Sequence, residues 1–481
     1  MKREAIQLEM NFDGTDENRF KQRFDLGEFQ LIAELRVPSA DTPLADAVRR
    51  AADFEYLVHS QEQPKASIAF INDAPSGYAL DMVQFATELC KYSRDRHVLY
   101  LHGRDHTLKD ILESVRHAHS EGFKNFCAVT GAAVRGETAA QTRKHAFLES
   151  VNMLRAIREA GLPSISAGAA VNPYQYTPES AYAQSFKMFR KLANGADYLV
   201  AQYGWDMMKL QELIWNLFRR EINIPTVARL MFLTPDNAEQ LCAGAYHGVP
   251  ISPDFEALLK AERDHSSAQF EAAQLRRIQI HAAGARLLGF SAVQIAGITN
   301  VPLLETVFQK IREAFREFQT FQDWRTAYRE YYDRLDMAPY PNKFYLFGKM
   351  LETELPEEQP ALAPGIRPPT KSEIFRNRLA RKLFAHADTL PAQERRLTKK
   401  LLVSCRGCNM CRLPQTDYVC PETCPKGLAN GPCGCGKANG GCELTDGECV
   451  FAKRLRIANA RLDYDYSSFE EGAVPSPETR P

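Results

Sequence analysis

Between residues 28 and 320 the chain alternates short apolar, β-branched runs with longer stretches whose apolar residues recur every three or four positions. Strand-then-helix repetition builds a parallel sheet, because each helix carries the chain back to begin the next strand in the same direction. Eight strands are expected, at Phe29–Arg36, Ser67–Asn72, His97–His102, Asn125–Thr130, Ser164–Ala170, Tyr198–Gln202, Thr226–Arg229 and Ala292–Ala296. Stretches such as Asp110–Glu121 and Glu179–Asn194 carry the apolar stripe of a helix lying on a barrel wall. Eight such units favour an α/β fold of the (β/α)8 TIM-like barrel type over an open sheet.

At 481 residues the chain has room for such a barrel and a smaller second domain. The expected division is an N-terminal extension (1–27), the barrel (28–320), a helical segment and Pro-rich linker (321–371), a cysteine-rich domain (372–462) and a flexible tail (463–481). Val301–Leu351 reads as helical and rich in aromatic packing residues, and the proline-dense stretch Leu355–Pro369 marks the boundary. A basic stretch over Ser372–Cys405 reads as a solvated helix face. Sixty basic residues balance sixty acidic ones with no basic stripe, which gives no basis for a nucleic-acid partner. No apolar run is long enough to span a membrane, and Met1–Asp25 lacks an export signal, so a cytoplasmic location is expected. Assembly into a homo-oligomer is compatible with the sequence.

Nine of the twelve cysteines fall in one short stretch: Cys405, Cys408, Cys411, Cys420, Cys424, Cys433, Cys435, Cys442 and Cys449. A disulfide knot would need an oxidising compartment and would strand one of nine thiols, so metal binding is the better reading. Cys405-x2-Cys408-x2-Cys411 followed by Cys420 supplies four thiolates at ferredoxin-like density, as for a [4Fe–4S] cluster. The remaining cysteines suffice for a second site, for example a four-thiolate zinc. Spacing constrains geometry better than it identifies the metal, so zinc instead of or beside iron–sulfur stays open.

In a barrel the chemistry sits at the C-terminal ends of the strands. Those ends carry Glu34, Asn72 and Asp73, His102, Arg104 and Asp105, Thr130 and Gly131, Asn172, Gln202 and Asp206, and Arg229. Glu34 is a lone carboxylate in an apolar strand, and in a desolvated mouth it would serve as a proton donor; the competing reading is a salt bridge to Arg36 or Arg104. The Gln202 amide can read a heteroaromatic edge. Arg190 and Lys191 could clamp a phosphate, although paired cations on a helix are commonly only solvated. No glycine-rich nucleotide motif follows a strand.

Together these segments resemble the methylenetetrahydrofolate reductase family, a flavin-dependent (β/α)8 barrel. The resemblance rests on Ala33-Glu34-Leu35-Arg36-Val37-Pro38, Leu101-His102-Gly103-Arg104-Asp105, Ala128-Val129-Thr130-Gly131 and Ala169-Ala170-Val171-Asn172-Pro173. Further on it continues through Arg190-Lys191 with Gly195-Ala196-Asp197, and Ala201-Gln202-Tyr203-Gly204-Trp205-Asp206. The stretch from Cys408 through Cys449 is similar to a C-terminal domain fused to some bacterial members, and to the partner subunit of acetogen-type reductases.

The resemblance implies reduction of 5,10-methylenetetrahydrofolate to 5-methyltetrahydrofolate by a flavin, FAD rather than FMN. Electrons would arrive through or near the cysteine-bound metal, from a redox-partner protein or from NAD(P)H. Glu34 would be the acid, with Gln202, Asp206 and Thr130 at the folate. Asn72, Tyr100, His102, Gly131 and Asn172 would contact the flavin, and Arg190 and Lys191 its phosphate. One departure stands out. The family's fourth-strand turn ends in an aspartate that recognises the pterin and modulates the flavin, and here it reads Thr130-Gly131-Ala132, with Glu137 as the nearest substitute. The alternative implied is a folate-binding or electron-transfer accessory protein without its own reductase activity.

Overall fold

The computed structural model describes residues 17–72, 78–339, 343–356, 365–386, 396–408, 410–461 and 465–477. Asp73, most of the N-terminal extension and residues 357–364 of the expected linker lie outside that set.

All eight expected strands form: β1 (Gln30–Arg36), β2 (Ala66–Ile71), β3 (Val98–His102), β4 (Asn125–Val129), β5 (Ser166–Val171), β6 (Tyr198–Ala201), β7 (Thr226–Met231) and β8 (Ala292–Ala296). They pair in parallel in chain order, and β1 closes on β8 with Gln30 opposite Ala292. Helices lie between successive strands and beyond β8. Two-residue alternation divides each strand. Leu31 and Ala33 pack under the helices, whereas Ile32 joins Ala69, Tyr100, Cys127, Val200 and Val227 inside the barrel. Gly168 on β5 is required by this packing, since a Cβ there would stand 2.2 Å from the Tyr198 ring. The barrel floor is closed by the helix Arg19–Asp25, whose Phe20 meets Tyr198 edge-on at 5.4 Å.

After the helices Val301–Glu317 and Phe321–Tyr331, the expected helical run to Leu351 does not continue. Residues 344–352 instead form an irregular strap over the helix Met207–Phe218. There Leu346 N–H donates to Glu212 (2.6 Å), Gln211 donates to the Glu352 carbonyl (2.7 Å) and the Lys209 ammonium donates to the Phe344 carbonyl (2.9 Å). Side chains of the barrel helix satisfy the strap's backbone, so helical hydrogen bonds are not needed there.

The cysteine-rich region has one small apolar cluster of its own, around Ala380, Phe384, Leu413 and Cys420. Its other apolar residues complete clusters with the barrel. Leu455, Ala458 and Phe469 pack with Ala181, Tyr182, Phe186 and Trp215, while Leu428 and Phe451 pack with Phe147 and Ala183. Arg376, Arg378, Arg381 and Lys382 are exposed, as expected of a solvated face, but Lys399 is buried. Of the expected tail, residues 466–476 are packed against the rest of the chain. Phe469 lies between the Phe186 ring and the Arg454 guanidinium, and Val474 N–H donates to Asn430 Oδ1 (2.7 Å).

Candidate functional site

The inward positions at the top of the barrel form a polar layer. β1 aims Glu34 inward, and from β7 the Arg229 guanidinium meets it with two hydrogen bonds, Nε to Oε1 and Nη2 to Oε2 (2.8 Å). Gln294 on β8 donates Nε2 to Glu34 Oε1 (2.7 Å) and accepts from the Tyr100 hydroxyl (2.9 Å). Arg229 Nη1 donates to Gln202 Oε1 (3.0 Å), and its plane stacks 4.7 Å from the Tyr203 ring centre. Burial pulls the Arg229 pKa down, but the Glu34 carboxylate outweighs it and holds the guanidinium above its ordinary value. The expected lone carboxylate is therefore one half of a bidentate ion pair, and its partner is Arg229 rather than Arg36 or Arg104.

Above this layer opens a cavity of about 820 Å³, the size of a cofactor or substrate pocket. Glu34, His102 and Gly131 line it, together with Arg36, Arg50, Arg104, Arg135 and Arg229. Glu34 is the sole carboxylate among the described lining residues, so the mouth is positively biased. Ala132 also lines it. Glu137 does not replace the missing aspartate. It grips Arg104 with both oxygens (3.0 and 2.9 Å) and accepts from Val134 N–H (3.0 Å). Burial pushes the Glu137 pKa up, yet those hydrogen bonds leave it below its ordinary value. Gly131 has φ +90°, and a Cβ there would meet the Arg104 Cβ at 3.1 Å.

Other candidates lie away from the cavity. Asp206 caps the helix Met207–Phe218 through Met208 N–H (3.0 Å) and accepts from the hydroxyls of Tyr176 (2.9 Å) and Tyr345 (2.7 Å), and burial raises its pKa. Its carboxylate is thus occupied in joining the strap to the barrel. Thr130 Oγ1 accepts from Ser150 N–H (3.2 Å) at the start of a helix. Tyr100 lies beneath the cavity, and Asn72 ends β2 without lining it.

The helix Pro178–Ala193 carries the cations implied at a flavin phosphate, and all are buried beneath the cysteine-rich region or the barrel itself. Arg190 Nη2 donates to the Ser468 carbonyl and Lys191 Nζ to the Ala170 carbonyl. Burial, with Lys187 nearby, pulls Lys191 down to about 7. Asn172 Nδ2 donates to the carbonyls of Gly248 (2.7 Å) and Gly434 (2.5 Å). Lys187, a turn earlier, donates to Gly431 O (3.1 Å) and Pro432 O (2.9 Å), and it lies 3.7 Å from the Glu149 carboxylate. Glu149 accepts from Ala429 N–H (2.6 Å), Asn430 N–H (3.1 Å) and Asn430 Nδ2 (3.0 Å). Sequence reasoning missed Glu149, Lys187 and Gln294. Gln294 alone left a local trace, as one amide in the apolar strand Ala292–Ala296.

All described cysteines are free thiols. Burial pushes Cys420 up to about 12, with Cys405 and Cys408 close enough to add to the shift. Burial likewise pushes Cys424 up to about 11, with Cys433 and Cys442 contributing, while Cys449 is raised by burial and by Cys433 and Cys424. Cys405, Cys408, Cys411 and Cys420 are thus neighbours, as are Cys424, Cys433, Cys442 and Cys449, but among the described residues neither set brings three sulfurs within 4.8 Å of one another. Ligand atoms of Cys433, Cys435 and Glu443 also lie within 4.8 Å of one another. A hydrogen bond from Cys435 and the Lys426 ammonium hold Cys433 well below the ordinary thiol range.

Residues 72–265 match the family model described as methylenetetrahydrofolate reductase, and residues 384–467 match one described as methylene-tetrahydrofolate reductase C terminal. Among solved structures, the chain is similar to an uncharacterized protein from Clostridium thermocellum that binds two copies of 5-methyl-5,6,7,8-tetrahydrofolic acid. The two share 11% identity with a TM-score of 0.44, over 61% of this chain and 97% of that one. No curated protein matches the chain.

Proposed function

We propose that the barrel mouth binds a reduced folate and acts on the carried one-carbon unit, as the match of residues 72–265 and 384–467 to the two methylenetetrahydrofolate reductase models supports. The observation that carries this reading is Glu34, the sole carboxylate among the described residues around a cavity whose other charged lining residues are five arginines. Opening a methylene bridge between two nitrogens requires a proton at one of them, and Glu34 would be the group that moves it. Arg229 and Gln294 fix the carboxylate from below, and Arg229 also holds the Gln202 amide, which does not itself line the cavity. Glu34 must part from Arg229 to carry that proton, so substrate entry and release of the ion pair are coupled.

The cysteines suit a metal by their chemistry, and Cys433, Cys435 and Glu443 are the ones whose ligand atoms are gathered within 4.8 Å. Burial raises the Cys420 and Cys424 pKa values, so their deprotonation calls for a cation beside them. When bound, an iron–sulfur cluster would pass single electrons, and a zinc ion would tie the loops together. The residues implied at the flavin phosphate do not fit a flavin: Arg190, Lys191 and Asn172 are engaged with carbonyls of this chain. No step is therefore routed through one. A second reading, reduction of methylenetetrahydrofolate with electrons from an external donor through the cysteine site, is favoured by Cys424, Cys433 and Cys449 packing against Phe147 and Ala183 of the barrel.

Calorimetric titration of the purified, metal-replete protein with 5-methyltetrahydrofolate tests the main reading. Saturable binding that weakens in Glu34→Gln is expected, and no heat of binding would defeat it. The second reading predicts donor oxidation coupled to 5-methyltetrahydrofolate formation, and it fails if no donor supports turnover.

A further inference from the structure

We infer that the cationic end of the helix Pro178–Ala193 is the seat of this chain's own C-terminal region, and that the barrel binds its folate without a resident flavin dinucleotide. The folate half rests on the reading above, whereas the flavin half stands on the packing.

A pyrophosphate would need the donors of Lys187, Arg190, Lys191 and Asn172, together with space beside them. The donors already face the oxygens of Gly431, Pro432, Ser468, Ala170 and Gly434, which present the negative ends of peptide dipoles where phosphate oxygens would lie. The charge is balanced as well, since the Glu149 carboxylate, 1% exposed, lies 3.7 Å from the Lys187 ammonium. An arriving phosphate would meet that carboxylate in a site from which water is excluded.

The space is closed at glycine contact. A Cβ on Gly431 would stand 2.7 Å from the Lys187 side chain, one on Gly434 would stand 3.3 Å from Asn172 Cβ, and one on Gly440 would stand 2.7 Å from Thr177 Oγ1. All three glycines have positive φ, so this loop reaches the barrel by a path that disfavours side chains. Lifting it to admit a dinucleotide would expose the clusters that Leu428, Phe451, Leu455 and Phe469 share with the barrel. Ala132, which lines the cavity where the family carries the aspartate that modulates the flavin, points the same way.

Chemistry at such a mouth is redox-neutral unless electrons are supplied from outside. Protonating one bridging nitrogen from Glu34 breaks one C–N bond and leaves the carbon as an iminium on the other nitrogen. Closing the bridge returns the proton to Glu34, and no electron pair leaves the folate.

The test uses the full-length, metal-replete protein. Flavin released on denaturation is counted, FAD and FMN are titrated while flavin fluorescence polarisation is followed, and 5-methyltetrahydrofolate binding is measured with and without added flavin. The expected result is far less than one flavin per chain, no saturable polarisation change, and the same folate affinity in both conditions. About one flavin per chain, or folate binding that appears only after flavin is added, overturns the inference. Folate that binds in neither condition defeats the folate reading and that half of the inference, while the flavin count still decides the other. In Lys187→Met, hydrogen exchange at the Ala429 and Asn430 amides should speed up at least tenfold with flavin content unchanged. Loss of bound flavin in that variant, with exchange unaltered, would assign Lys187 to a flavin after all.

Discussion

Glu149 is the most informative residue to remove, because one buried carboxylate both accepts from the cysteine-rich region and faces a barrel lysine. It is 1% exposed, accepts three hydrogen bonds from Ala429 and Asn430, and neutralises Lys187. Glu149→Ala leaves two peptide N–H groups, one amide and an ammonium buried together. Hydrogen bonds to a charged acceptor are worth about 1.5–3 kcal/mol each, but they share one carboxylate and do not add. The better guide is the cost of breaking a buried ion pair, about 3–5 kcal/mol. Glu149→Gln keeps a carbonyl acceptor and should cost less, about 1.5–3 kcal/mol. The loss should fall on docking rather than on barrel folding. Hydrogen exchange at Ala429 and Asn430 should therefore accelerate by roughly two to three and a half orders of magnitude in Glu149→Ala, at about 1.4 kcal/mol per factor of ten. Urea unfolding followed through Trp205 and Trp324, which lie in the main core cluster, in a Trp215→Phe background because Trp215 packs against the cysteine-rich region, should show the smaller change. Exchange within a factor of about two of wild type, which is under roughly 0.5 kcal/mol, would refute the argument that this carboxylate holds the two regions together.

Three further perturbations have signed outcomes. Glu34→Gln strands the buried Arg229 guanidinium and should lower stability by about 3 kcal/mol; the double variant Glu34→Gln/Arg229→Gln should recover part of that loss in urea unfolding, and additive losses would deny the coupling. Gly168→Ala drives a methyl group into the Tyr198 ring and should cost about 1–3 kcal/mol, read as a fall in Tm; an unchanged Tm would mean that the ring can move aside. His281 accepts from or donates to the Tyr332 hydroxyl at 2.9 Å, and burial, helped by Arg277, pulls its pKa down from 6.5 to about 3. The unfolded chain takes up this proton before the folded one does, so the stability His281 lends is whole above pH 6.5 and drains as pH falls toward 3, by about 1.4 kcal/mol per unit. His281→Gln should flatten the acid limb of a Tm–pH profile, and an unaltered slope would contradict the assignment.

The sequence alone determined the barrel, strand by strand, because two- and four-residue periodicities are local and survive any arrangement of neighbours. It also determined the crowding of nine cysteines and the likeness of residues 72–265 and 384–467 to the two family models, since both are matters of residue type and order along the chain. Glu34 and His102 could be placed at the mouth from their positions at strand ends. The partner of Glu34 could not: Arg229 lies 195 positions away, and only closure of the barrel between β1 and β8 puts both in one inward layer. Asp206 carried the right motif and took a structural role, because the strap supplied Tyr345 from 139 positions downstream. The use made of Lys187, Arg190 and Asn172 was still less legible. A cation has the same local signature whether it faces a phosphate, solvent or a peptide carbonyl, and here the carbonyls of Gly431, Ser468 and Gly434 arrive from more than 240 residues away. What occupies a charged surface is decided by which other surface fits it, and that fit exists only once both regions have folded.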